Sequence, residues 1–230
     1  MKTLAVLQHT SAEYLGLIED HLEGRRIRFR YSRPFTAGGR LPAPEAVQDG
    51  LVILGGGPWG SAGGRDLPTL EPEVAITRHA LAAGVPVLAI GLGAQILAIA
   101  AGGSSTRCGL EFEVGEAQRT RPDALAGFLP ERYPLVLYGR DRPQLPPDTD
   151  VLARDWHGRP ALFQVGELAL GFTGHPGTKP AIVEDLIMEF EEGPTDPGPA
   201  LAQLRAVRPA LEDALVPIMT GVVRVLRLMQ

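Results

Sequence analysis

The chain has 230 residues, 44% of them apolar and 21% charged, with a net charge of −5. That length suits one large α/β domain or two small ones. The weak acidity gives no electrostatic footprint for nucleic acid, and the single cysteine, Cys108, excludes an intramolecular disulfide framework.

The first element, Lys2–Gln8, is an apolar run of strand length. Residues 12–22 place Leu15, Ile18 and Leu22 on one helical face. Arg26–Tyr31 alternates Ile27, Phe29 and Tyr31 with arginines, as a strand with one solvated side would. Gly50–Leu54 (GLVIL) is continuously apolar and reads as a buried parallel strand. The glycine- and proline-rich stretch that follows must be loop. A helix is expected over Glu73–Ala83 with Gly84 as its stop, then a buried strand over Val85–Ile90 and a helix over Gly93–Ala101.

Beyond residue 110 the pattern changes to short strands around 110–115, 133–138, 150–154, 161–165 and 168–172. Pro180–Phe190 reads as a helix and GPTDPGP (193–199) as a linker. Pro209–Met229 carries Leu211, Leu215, Ile218, Val222, Leu226 and Met229 at three- and four-residue steps, an amphipathic helix kinked at Pro217. The expected fold is a three-layer αβα sandwich around a mainly parallel sheet, with added short strands and a C-terminal helical extension. Residues 1–192 form the expected domain. Residues 193–230 form a linker and a helix packed on that domain or on a partner.

No apolar run nears the ~18 residues of a membrane span. The opening MKTLAVLQH lacks a secretory signal's apolar core and cleavage site. A reducing, cytoplasmic setting is therefore the expectation.

Two glycine-rich turns invite comparison with phosphate-binding loops. Gly55-Gly56-Gly57-Pro58-Trp59-Gly60 fits G-x-G-x-x-G, but Pro58 removes an amide and no helix follows at once. Its backbone N–H groups are better read as lining a pocket at the carboxyl end of a strand. In Ala89-Ile90-Gly91-Leu92-Gly93, a strand turns into a helix between small residues, the shape of a nucleophile elbow. Its centre, Gly91, has no side chain with which to attack.

Three segments carry a resemblance to the class I glutamine amidotransferases, of the glutaminase-domain type fused in GMP synthase. They are Asp49–Leu54 with Gly56-Gly57-Pro58, Pro86–Ala98, and Gly171-Phe172-Thr173-Gly174-His175-Pro176, and the resemblance spans roughly residues 1–190. It implies a flavodoxin-like sandwich, an oxyanion loop at Gly56-Gly57-Pro58, and a cysteine–histidine–glutamate triad that splits the amide of glutamine and delivers ammonia to a synthetase. By position the cysteine falls at Gly91, the histidine at His175 and the glutamate at Gly177. Gln95 matches the glutamine that follows the family's elbow. An aromatic-His-Gly stretch of the family is degraded near Leu137-Tyr138-Gly139-Arg140.

Amide cleavage through a covalent intermediate needs a nucleophile beside a base, and the joint loss of both partners of His175 argues for natural decay of the activity. The implied reading is a glutamine amidotransferase-like binding or regulatory protein without glutaminase activity. Its expected site comprises His175, Gly91 and Gly177 at the triad positions, and Gly56, Gly57, Pro58, Leu92, Gln95 and His9 around the ligand. The alternative is an active amidotransferase or hydrolase using a substitute nucleophile, for which Cys108 is the candidate, or a water activated by His175. Glutamine or another small molecule is the expected ligand, with a synthetase-type protein or a second copy as partner. No cofactor is implied, and His21, His79 and His157 lack the spacing of a metal site.

Overall fold

The computed structural model describes residues 1–147 and 149–229. Its centre is a nine-stranded sheet in the order β2-β1-β3-β4-β11-β10-β9-β6-β7. The parallel part joins β2 (Arg28–Ser32), β1 (Thr3–Leu7), β3 (Leu51–Ile53), β4 (Val87–Ile90) and β11 (Ala169–Phe172). Beyond β11 the pairing turns antiparallel through β10 (Pro160–Val165), β9 (Asp150–Arg154), β6 (Glu111–Arg119) and β7 (Arg132–Gly139). Most of the short strands expected beyond residue 110 thus extend the same sheet. A separate two-stranded ribbon, β5 (Ser104–Thr106) with β8 (Arg142–Gln144), is not legible in the sequence. It has no apolar alternation to announce it.

The central strands are apolar at nearly every position because both faces of the sheet are covered. Leu4, Val6, Val52, Leu88 and Ile90 point into one core, which α1 (Ile18–Glu23) and α5 (Gly198–Val225) close. Leu7, Leu51, Ile53, Val87 and Ala89 point into the other, closed by α2 (Leu70–Ala82) and α3 (Leu92–Ala100). This alternation is the period-two side-chain pattern of a strand. α4 (Pro180–Glu189) contributes Val183 to a third cluster with α5.

Two expected elements differ. The helix over 12–22 begins only at Ile18, and the segment before it is irregular. Gly16 there has φ 62°, which breaks a helix, and a Cβ on it would overlap the Gly177 carbonyl. At the other end, α5 starts at Gly198 and runs through both Pro209 and Pro217. The end of the expected linker and the residues before Pro209 are therefore helix. Leu204 on this unexpected portion is fully buried, and tertiary packing overrides the local cost of the proline. Among the described residues no helix is long and apolar enough to cross a membrane.

Strands β1 and β3 are neighbours although the chain visits the edge strand β2 between them. Such a reversal, with the carboxyl ends of β3, β4 and β11 beside it, is where open α/β sheets hold ligands.

Candidate functional site

Gly91 links β4 to α3 with φ 58° and ψ −115°. Glycine tolerates this region because it has no Cβ. The Gly91 N–H donates to the Phe172 carbonyl (2.8 Å), and the Gly93 N–H donates to that of Leu54 (3.1 Å). The elbow is thereby fastened to the ends of β11 and β3. A Cβ on Gly93 would overlap the Ile53 carbonyl, so the small residue after the elbow has a packing cause. At Gly91 itself the nearest atoms a Cβ would meet are Gly55 Cα, at 3.2 Å, the Gly55 nitrogen, at 3.9 Å, and Glu13 Oε1, at 4.0 Å.

A cavity of about 340 Å³ opens beside the elbow. Of the residues expected at the site, Gly56, Gly57, Gly91, Leu92 and Gln95 line it; Trp59, Cys108, Tyr138 and Thr173 also face it. The Gln95 amide is already committed. Its Nε2 donates to the Arg140 carbonyl (2.7 Å), and its Oε1 accepts from the Ser61 hydroxyl (2.5 Å). Three arginines on the wall are paired: Arg140 with Glu192, Arg142 with Glu111, and Arg159 with Asp155 and Glu113.

Asp141, which no sequence pattern marks, ties the wall together. Its buried carboxylate accepts from the N–H groups of Ser61 (2.9 Å), Ala62 (3.0 Å) and Cys108 (3.0 Å). It thus joins the loop after β3, the segment after β5 and the β7–β8 turn. The Pro58 carbonyl accepts from Arg140 Nε (2.9 Å), although Pro58 itself does not line the cavity.

His175 and Gly177 also lie off the cavity wall. The His175 Nε2–H donates to the Tyr14 carbonyl (2.8 Å), and its Nδ1 accepts from the Gly177 N–H (3.2 Å). Both ring nitrogens are occupied and the neutral tautomer is fixed. Burial pushes its pKa down to about 4, more than its two backbone hydrogen bonds restore. A Cβ on Gly177 would stand 2.7 Å from Ile18 Cγ1, so α1 has taken the space that an acidic side chain would need.

His9 is buried behind the glycine loop rather than on the cavity wall. Its Nδ1 faces the Gly55 carbonyl (2.8 Å) and its Nε2 faces Glu73 Oε2 (2.8 Å). A carbonyl can only accept, so Nδ1 carries a proton. Burial acts to lower the His9 pKa, but the Glu73 carboxylate and the two hydrogen bonds outweigh it and hold His9 above its ordinary value. Protonated, the ring forms a buried ion pair with the Glu73 carboxylate. Across the same loop, Glu13 Oε2 accepts the Gly57 N–H (3.1 Å). Burial raises the Glu13 carboxyl to about 7, against the opposing pull of that amide and of His9.

Residues 31–132, less than half of the chain, match the family model "Glutamine amidotransferase class-I". That span holds the glycine loop and the elbow. Over that span the sequence is similar to the class I glutamine amidotransferases. The fold is similar to that of a glutamine amidotransferase from Methylobacillus flagellatus, 23% identical, with a TM-score of 0.81 over 98% of this chain and 95% of that one. It is also similar to one from Thermotoga maritima, 22% identical, with a TM-score of 0.80 over 98% of both chains. A protein from Thermoplasma acidophilum described as a GMP synthase component is more distant, at 16% identity and a TM-score of 0.57, covering 91% of this chain and 98% of that one. A search among curated proteins finds no match.

Glu13, Glu73 and Asp141 are the site residues that sequence reasoning misses. Glu13 falls on the polar side of the helix expected over 12–22, and only the loss of that helical turn directs it inward. Glu73 reads as a helix start, and Asp141 follows the degraded motif without belonging to it. No motif marks any of them.

Proposed function

We propose that this amidotransferase-like protein has no glutaminase activity and serves as a binding or regulatory module whose cavity takes a small polar molecule. The observation that carries the reading is the elbow. Its central position, where a nucleophile is needed, is a glycine fixed between β11 and β3. Two further features support it. His175 spends both ring nitrogens on the backbone, and Ile18 fills the space at Gly177. The paired polar wall and the neutral glycine loop suit an uncharged polar group such as an amide. A synthetase-type protein or a second copy is the partner we favour, and a cytoplasmic location fits the single free cysteine.

The test is ammonia and glutamate release from L-glutamine by the purified chain, beside calorimetric binding of glutamine. The expected result is binding without turnover above background. Turnover would overturn the reading.

A second reading rests on Cys108, which shares the cavity with Gly91. If it were a substitute nucleophile, an electrophilic glutamine analogue would label it and Cys108→Ser would abolish any turnover. We expect neither outcome.

A further inference from the structure

Glu13 stands in the irregular segment after β1 and is 4% exposed. Its main-chain N–H is held by the Thr10 hydroxyl (3.0 Å), which fixes the side chain's approach. The carboxyl reaches the glycine loop from behind the cavity wall. There it fills the space beside Gly55, where any Cβ would overlap it, and takes the Gly57 N–H at 3.1 Å. Its Oε1 stands 4.0 Å from the point where a Cβ on residue 91 would be. A carboxylate oxygen thus accepts from a loop amide at the elbow, inside the protein's own fold. The His9 ring holds the Gly55 carbonyl, so the loop is gripped at two nearby polar positions.

We propose that Glu13 is an internal occupant of the glycine loop: its carboxylate takes the Gly57 N–H that a ligand oxygen in the cavity would otherwise use, and loss of that charge releases the amide. A charge-assisted hydrogen bond is about twice as strong as a neutral one, so the ionised carboxylate is the tighter hold. Gly57 has φ 54° and can change its peptide orientation without the Cβ penalty of another residue.

The groups facing Glu13 set when the charge changes. His9, after β1, favours that charge, and Glu73 of α2 favours the protonated form of His9. Glu189 of α4 opposes it, with its own carboxylate accepting from the N–H groups of Ser11 and Ala12. Tyr138 of β7 also feels the Glu13 charge, and burial raises its hydroxyl pKa. Burial of Glu13 is the dominant influence and brings its titration to about 7. The hold therefore weakens as pH falls through neutrality.

The experiment follows the Gly57 amide of the full chain by ¹⁵N NMR from about pH 5.5 to 8.5, a range that brackets the ordinary deviation of a shifted carboxyl. The expected result is a Gly57 resonance that moves with a midpoint near 7, while the Gly93 amide stays put. In Glu13→Gln the Gly57 movement disappears. A flat Gly57 resonance in the wild type, or one that titrates unchanged in Glu13→Gln, overturns the proposal. Should Glu13→Gln not fold, Glu13→Asp withdraws the carboxyl by one methylene. Exchange of the Gly57 amide is then expected to quicken about tenfold, the loss of one hydrogen bond of ordinary net strength, and unchanged exchange is the contrary result. These readouts need no ligand, so they stand or fall separately from the binding of glutamine.

Discussion

At the scale of single residues, three buried titratable groups divide their labour. His175 is neutral when folded, with a pKa near 4 against 6.5 for the free group. Between those values the unfolded chain binds a proton that the folded chain refuses, so this group's share of stability falls as pH drops from 6.5 towards 4. A shift of that size corresponds to about 3 kcal/mol. Replacing His175 by Gln is expected to cost most near pH 7 and progressively less in acid, read by urea unfolding at each pH. Glu13 has the opposite sign. Its folded value, about 7, exceeds the ordinary 4.5, so its contribution is full below 4.5 and lost as pH rises to 7. The stability of Glu13→Gln relative to wild type should therefore improve as pH rises from about 5 to 8. The raised His9 contributes in the same sense, losing its share as pH climbs through its elevated folded value. At the elbow, Gly91→Cys forces a side chain into a strained region and is expected to cost about 1–3 kcal/mol. It should not produce ammonia from glutamine, because both His175 nitrogens are engaged. Ammonia release above background by this variant would count against that reasoning.

At the scale of elements, the sequence is most informative for the strands that pack on both faces. β3 and β4 are uninterrupted apolar runs because each alternate side chain enters a different core. The elbow is legible for a similar reason. Gly93 must be small beside the Ile53 carbonyl, and a strict steric demand leaves a visible residue. α5 is half hidden, because Pro209 and Pro217 read as a boundary and a kink. Pro209 is exposed and breaks the backbone ladder without filling any core space. Pro209→Ala is accordingly expected to stabilise the protein by about 1–3 kcal/mol, since an interior proline costs about 3 kcal/mol. A rise in thermal midpoint checks it. Leu215, 1% exposed against the sheet, is the contrasting case. Its replacement by Ala should cost about 2–5 kcal/mol.

At the scale of the whole molecule, α5 belongs to the core. Leu215, Ile218, Met219, Val222 and Val223 share a cluster with the strands, so its apolar face is already spent within this chain. Removing residues 198–229 should expose that cluster and give an unfolded or aggregating product, checked by circular dichroism and light scattering. A well-folded truncated monomer would mean that the helix is dispensable.

The sequence by itself determined the layers and the glycine-centred elbow, because sheet periodicity and close backbone approach write directly into residue type. Of the residues it singled out, the fold places Gly56, Gly57, Gly91, Leu92 and Gln95 on the cavity wall and leaves His9, Pro58, His175 and Gly177 off it. Only the tertiary structure decided the partners of the buried side chains, and through burial the direction in which each pKa moves. His175 lost its freedom to Tyr14, which is 161 positions away in the chain. Glu13 reached the Gly57 amide, 44 positions away. Burial and charge pairing arise between segments that no local pattern connects, and they exist only once the chain has folded.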